Sequence, residues 1–175
     1  MARQRFADQV VFVTGGSSGL GAETSQLFIE EGAKVFVTDL EERAILKRLG
    51  TNAFFMKCDV SKPEDCEAAI NACIEKWGKL DVLFHNAARL APVSTVVDHD
   101  VALFQAVINT NLCSAFYLAR VAIPQMRKQG KGAIVNTAST AALYGDYGML
   151  KTCTSSLSTN LCQVSARTAP LKLES

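Results

Sequence analysis

Seven residues near the N-terminus, Gly15-Gly-Ser-Ser-Gly-Leu-Gly21, have the composition of a loop that holds an anion. They fall between a run with strand character and a run with helix character, the setting in which such glycines point to a phosphate site. Gly15 permits a tight turn and Gly19 lets the backbone approach a pyrophosphate. Gly21 permits close packing while the helix N-terminus offers unpaired N–H groups. Ser17, Ser18 and Leu20 are assigned to the same cradle. No Gly-Lys-Ser/Thr follows, so this is not a loop built for ATP or GTP hydrolysis. Asp39 stands 18 residues beyond Gly21 at the end of the next strand-like run. A carboxylate there accepts hydrogen bonds from ribose hydroxyls and repels a 2′-phosphate, although a simple helix cap would also use an acid at that point. Loop and acid together predict a dinucleotide site with NAD favoured over NADP. Leu40, included in that site, brings no charge for a further phosphate, and Arg43 is the nearby cation able to swing toward one.

The other residues capable of chemistry are sparse. A literal Tyr-x-x-x-Lys is formed by Tyr147 and Lys151, a phenol and a cation at one-turn spacing. Gly145 and Gly148 around it favour a loop, in which the two side chains need not share a face. The six cysteines, at 58, 66, 73, 113, 153 and 162, form no Cys-x-x-Cys pair. Four of them lie in apolar periodic segments and are read as free thiols. His85 and His99 are too isolated to complete a zinc site with them, so no metal is expected. Eighteen Lys and Arg against 17 Asp and Glu leave a net charge of +1, no footprint for nucleic acid or anionic lipid. Unbroken apolar runs, such as 9–14 and 34–38, are strand-length, against the ~20 residues of a bilayer-spanning helix. The N-terminus enters a strand pattern with no separate apolar leader. A cytoplasmic protein without nucleic-acid or membrane partners is the expectation.

These residues must be positioned by elements that alternate along the chain. At 175 residues, 49% apolar and 20% charged, the chain has the length and composition of one globular unit. Strands are predicted over 9–14, 34–38, 52–57, 79–84 and 132–137. Helices are predicted over 22–31, 41–49, from Pro63 to Trp77 with Ser61 as cap, and from about Asp98 to Gln129. Short β-rich runs separated by helices signal βαβ units, hence an α/β, doubly wound parallel sheet covered on both faces. After Leu150 the chain turns rich in Ser and Thr with no further strand pattern.

Over roughly Asp8 to Leu150 the sequence resembles the short-chain dehydrogenase/reductase family. Thr14-Gly15-x-x-x-Gly19-x-Gly21 resembles its glycine motif, and Asp59-Val60 its adenine-pocket pair. His85-Asn86-Ala87-Ala88 is similar to its Asn-Asn-Ala-Gly strand end, with His85 and Ala88 as departures. Asn111 resembles the helix asparagine of the catalytic tetrad and Ser139 the tetrad serine. The resemblance implies a Rossmann-like domain over 1–150, with an irregular tail over 151–175. It implies a cofactor site that includes Asp59, Val60, Asn86, Ala87 and Asn111, and NAD(P)-dependent interconversion of a small-molecule alcohol and carbonyl. Subunit contacts through the long helix around Asn111, hence a homo-oligomer, are also implied.

In that family a tyrosine acts as acid, its phenol pKa lowered by a lysine four residues on. A phenol titrating near 10 needs such a cation to shuttle protons at neutral pH. Counting about thirteen residues from Ser139, the family's spacing, lands on Thr152, and the lysine position becomes Ser156. Tyr147 and Lys151 are then a shifted pair, five residues early. The family's sixth and seventh strands have no counterpart in the sequence, so the last strands are expected to be missing, as in a C-terminally truncated or altered chain. Impaired catalysis follows. The alternative is an inactive nucleotide-binding fragment, or a regulatory partner of a full-length relative.

Overall fold

Runs of Val, Phe and Thr suit a pleated surface buried on both sides, and they build the centre of this protein. The computed structural model describes residues 4–44, 48–92 and 94–139. Five strands, β1 (Val10–Thr14), β2 (Lys34–Asp39), β3 (Ala53–Lys57), β4 (Val82–His85) and β5 (Ala133–Asn136), form one parallel sheet in the order β3-β2-β1-β4-β5. The helices are α1 (Gly19–Glu30), α2 (Pro63–Trp77), α3 (Val101–Ile108) and α4 (Ser114–Gln129). A π turn, Asn109–Cys113, joins the last two into one continuous helix.

Alternation along the strands divides the core in two. Val10, Phe12, Phe36 and Leu83 face α2 and α4, where Ile70, Cys73, Leu118, Ala122 and Met126 meet them. Val11, Val13, Val35 and Val37 face the other way, packed by Phe28 and Ile29 of α1 and by Phe6. Phe12 stacks on Phe36 at 5.4 Å, and Trp77 meets Phe36 edge-on at 6.0 Å, offset and T-shaped geometries that add to the burial of the rings. Cys58, Cys66 and Cys73 are buried free thiols and Cys113 is a half-buried one. Val135, on β5 at the end of the strand order, is half exposed.

Several boundaries differ from expectation. The described part of 41–49 is not an α-helix, and a short 3₁₀ turn, Gly50–Asn52, leads into β3 instead. Ser61 does not cap α2, because its Oγ donates to Asp59 Oδ1 at 2.7 Å. The helix opens at Pro63 with Glu64 and Asp65 in its first turn, where the dipole favours them. The long helix starts at Val101, with the Asp100 carboxylate accepting the Leu103 N–H at 2.7 Å. Val101, at the head of the apolar stripe read from the sequence, is 79% exposed. The five-residue repeat of the π turn rotates the buried face, which runs through Val107, Ser114, Leu118, Ala122 and Met126. Taken whole, Val101–Gln129 is long and apolar enough to cross a bilayer, contrary to the reading of unbroken runs, since Gln105, Asn109 and Asn111 interrupt it. In this fold its Leu118, Ala122 and Met126 pack into the core.

The N-terminal edge of the sheet is tied by Asp81, whose side chain is only 6% exposed. Its Oδ2 accepts the Val10 N–H at 2.9 Å and pairs with Lys79 Nζ at 2.9 Å, while Lys131 Nζ lies 3.6 Å from Oδ1. Burial alone would raise this carboxyl pKa. The Val10 N–H, then Lys79 and Lys131, outweigh burial and hold it below the usual aspartate value. A carboxylate with a depressed folded pKa stabilises the fold above its unfolded value, ~3.9, and loses that contribution as pH falls through the folded one. Asp81→Asn is therefore expected to lower stability in urea at pH 7 by about 1.5–3 kcal/mol, the range for hydrogen bonds to charged groups. The gap between wild type and variant should close as pH falls below ~4. A gap that stays constant with pH would refute the assignment.

Candidate functional site

β1 ends at Thr14, and its neighbours lead the chain to opposite sides, toward β2 on one flank and β4–β5 on the other. Such a switch point opens a crevice at the C-terminal edge of a parallel sheet. Its floor is a side-chain junction. Thr14 Oγ1 accepts the N–H groups of both Asn86 and Ala87, each at 3.0 Å. Asn86 Nδ2 reaches back to the carbonyls of Thr14 and Gly15 at 3.3 and 3.4 Å, and its Oδ1 accepts Thr137 Oγ1 at 3.3 Å. The Thr14 hydroxyl was legible only as a letter of the glycine motif. A hydroxyl closing a buried strand just before a glycine turn is the signal that marks it.

The glycine loop rests on this junction. A Cβ on Gly21 would stand 2.2 Å from the Gly15 carbonyl oxygen and 2.7 Å from Asn86 Nδ2, so α1 approaches the loop as only glycine allows. Gly19 has φ +49° and open space beside it, which leaves the backbone accessible from the crevice. Ser18 precedes α1 without a side-chain cap bond, and the first turn carries no acid. The positive end of the helix is thus left to an outside anion. Ser17 Oγ is buried without a hydrogen-bond partner among the described residues. These features fit a dinucleotide's pyrophosphate.

Asp39 ends β2 directly under the loop. Its Oδ2 accepts the Ser17 N–H at 3.0 Å and its Oδ1 the Leu40 N–H at 2.8 Å. A carboxylate has about four acceptor positions, so these two bonds fix its orientation and leave capacity for ribose hydroxyls. Leu20 and Leu40 are exposed, at 72% and 53%. Beyond β3, Asp59 Oδ1 accepts the Ser61 N–H and Oγ, and the Asp59 N–H donates to Asp65 Oδ2 at 3.0 Å. Val60 is buried in the core beside Cys66, whose thiol donates to its carbonyl at 3.3 Å, so its side chain is not offered to a ligand. Asn111 sits in the π turn and clamps Arg89, accepting its N–H at 2.7 Å and donating to its carbonyl at 3.0 Å. Ser139 is exposed, three residues past β5. Tyr147, Lys151, Thr152 and Ser156 lie outside the described residues.

Among the described residues no cluster of three or more His, Cys, Asp or Glu is placed to hold a metal. His85, which ends β4, is turned into the interior at 5% exposure. Burial pushes its pKa down to about 4 against the opposing effect of its hydrogen bond with the Asn136 side chain, so the ring is neutral at physiological pH.

Residues 9–159 match the profile of the short chain dehydrogenases. Short-chain dehydrogenase reductase 5 of Arabidopsis thaliana is 37% identical over 153 residues, covering 85% of this chain and 59% of that protein. Tropinone reductase-like 1 of Erythroxylum coca is 37% identical over 143 residues, covering 78% of this chain and 52% of the relative. The crystal structure of levodione reductase superposes with a TM-score of 0.83 at 29% identity, covering 90% of this chain and 64% of that one. A crystal structure of the NADH-dependent reductase A1-R′ complexed with NAD, 24% identical with a TM-score of 0.82, shares the fold over 90% of this chain and 71% of its own. The chain thus spans between half and two thirds of the length of the two curated relatives. It belongs to the short-chain dehydrogenase family.

Proposed function

We propose that this chain binds a nicotinamide dinucleotide at the crevice between β1 and β4, NAD in preference to NADP, and that its lineage is NAD-dependent interconversion of an alcohol and a carbonyl. The observation that carries the reading is the cradle at Gly15–Gly21: an uncapped helix end, an open Gly19 and a buried Ser17 hydroxyl converge beside the Asp39 carboxylate. The names of two relatives, a tropinone reductase-like protein and levodione reductase, support the redox part.

In this reading the loop N–H groups bind pyrophosphate and Asp39 binds the ribose diol. The carboxylate repels a 2′-phosphate, since two anions within ~4–6 Å raise each other's cost of ionisation. Asp59 and the Val60 backbone border the adenine, and Asn86 with Ala87 supports the ribose on the nicotinamide side. The bound nicotinamide supplies or accepts a hydride. Ser139 orients the substrate oxygen, and Asn111 keeps the β4 loop in place through Arg89. Thr152 and Ser156, at the register where the family carries its acid and its cation, supply neither a titratable phenol nor a charge. The chain then binds cofactor with little or no turnover. As a second reading, it pairs with another copy or a longer relative through the long helix. A groove of about 480 Å³ between α2 and α4, lined by Ile74, Tyr117, Val121 and Pro124 with Glu67 and Arg120, supports that reading.

Isothermal titration of the full chain is expected to give NADH binding at least tenfold tighter than NADPH, ~1.4 kcal/mol. Asp39→Asn removes the charge at nearly constant shape and should narrow that preference. NADPH binding as tightly as NADH would refute the role of Asp39. Gly21→Ala, whose methyl must displace Gly15 or α1, is expected to weaken NADH binding by more than about tenfold. Carbonyl-dependent oxidation of NADH should stay at background, and robust turnover by homogeneous protein would overturn the assignment of impaired catalysis.

A further inference from the structure

We infer that His85 is a positioning residue that sets the separation between the turn carrying Asn111 and the strand end carrying Ser139; the inference rests on the site proposed above. The imidazole Nε2 lies 2.8 Å from Ser114 Oγ. The backbone of the same residue pairs with Asn136 in the ladder to β5, and its carbonyl accepts the Thr137 N–H at 2.9 Å. Ser114 is three residues beyond Asn111, and Asn136 is three residues before Ser139. One residue of β4 therefore meets both elements that deliver those residues, with its side chain on one and its backbone on the other.

Proton counting fixes the direction of the bonds. Ser114 has a single hydroxyl proton, and its Oγ donates to the Thr110 carbonyl at 2.5 Å. Oγ can only accept from His85, so Nε2 carries the ring proton. Thr110 lies inside the π turn, whose carbonyls are out of register with an ordinary α-helix, and the Ser114 hydroxyl gives one of them a donor. The contacts close a ring: β4 to His85, His85 to Ser114, Ser114 to Thr110, then Asn111 to the backbone of Arg89, which leads back into β4. Asparagine, the family's residue at this strand end, has a shorter side chain that cannot place a donor as far along as Nε2. Glutamine can. His85 thus stands where this chain departs from the family pattern.

The test uses ¹⁵N-labelled full-length chain without cofactor, compared as wild type, His85→Gln, His85→Phe, Ser114→Ala and the double variant His85→Phe/Ser114→Ala. Phenylalanine keeps the ring volume and removes the hydrogen bond to Ser114. Amide exchange at Arg89, whose N–H is held by Asn111, reads the position of the turn directly. Exchange is expected to accelerate about five- to tenfold in His85→Phe and in Ser114→Ala, the effect of one lost hydrogen bond. The double variant should go no further than either single change, and His85→Gln should stay close to wild type. The core amide of Leu83 serves as control and should not move. The imidazole ¹⁵N spectrum of wild type should show the proton on Nε2. Unchanged Arg89 exchange in both single variants, effects that add in the double variant, or a proton on Nδ1 would each overturn the inference. If His85→Phe fails to fold, Ser114→Ala and His85→Gln decide it alone. An NADH titration of wild type separates the two proposals: no NADH binding with the exchange pattern intact would sink the cofactor reading and leave the ring standing.

Discussion

Two backbone N–H groups, those of Asn86 and Ala87, end on one side-chain oxygen, Thr14 Oγ1. Both sit where β1 and β4 run out of ladder partners and where Thr14 itself is wholly buried. Leaving a buried donor unmet costs roughly 1–3 kcal/mol, so the residue at the end of β1 has to supply an acceptor. Once it does, Asn86 is held close enough for its amide to reach Gly15, and the glycine loop begins from a fixed point. The close approach of Gly21 to the Gly15 carbonyl follows from that start. The shape of the glycine loop is thus a consequence of how two neighbouring strands finish.

The core could not achieve this alone. Phe12, Phe36, Leu83 and Leu118 are fully buried and each contributes roughly 1.5–3 kcal/mol, more than any single hydrogen bond here. That attraction is non-directional, however, and says little about register. A slip of two residues between β1 and β4 would keep every side chain on its own face. It would also part Val10 from Asp81 at one edge and Thr14 from Asn86 at the other. Apolar burial makes the sheet form, and the two polar ties at its ends select the pairing Val11 with Val82 and Val13 with Phe84.

The strands and the glycine loop were readable because their signals are local. A run such as Val10–Thr14 carries its own propensity, and glycines between strand and helix carry their own geometry. What escaped the reading depends on which of several available partners a residue takes. Ser61 looks like a helix cap until Asp59 is seen to take its hydroxyl. Val60 looks like part of a pocket wall until the packing of Cys66 and Ile70 draws it into the core. The π turn leaves no mark in the spacing of apolar residues, since it arises where Asn111 must reach Arg89 and Ser114 must meet His85. In each case a partner 2 to 29 positions away decided between two locally acceptable structures.

In the function proposed above, binding and chemistry draw on separate stretches of the chain, and that separation is physical. Apart from the Thr137 hydroxyl that donates to Asn86, the cradle, Asp39, the Asp59 turn and the Asn86 junction are made by residues up to 87, built from short βαβ crossovers whose contacts lie within the sheet and its covering helices. Proton transfer needs a group whose pKa can be brought near neutrality, and the family achieves this with a phenol and an adjacent cation further along. Thr152 has a hydroxyl that does not titrate in water, and Ser156 has no charge to lower its pKa. In the proposed function those two residues withdraw the acid, while the contacts that shape the cradle among the described residues are made by Thr14, Gly15, Ser17, Asp39, Asn86 and Ala87. In that function the interactions assigned to the dinucleotide are therefore kept, and the group that would couple hydride movement to a proton is lacking.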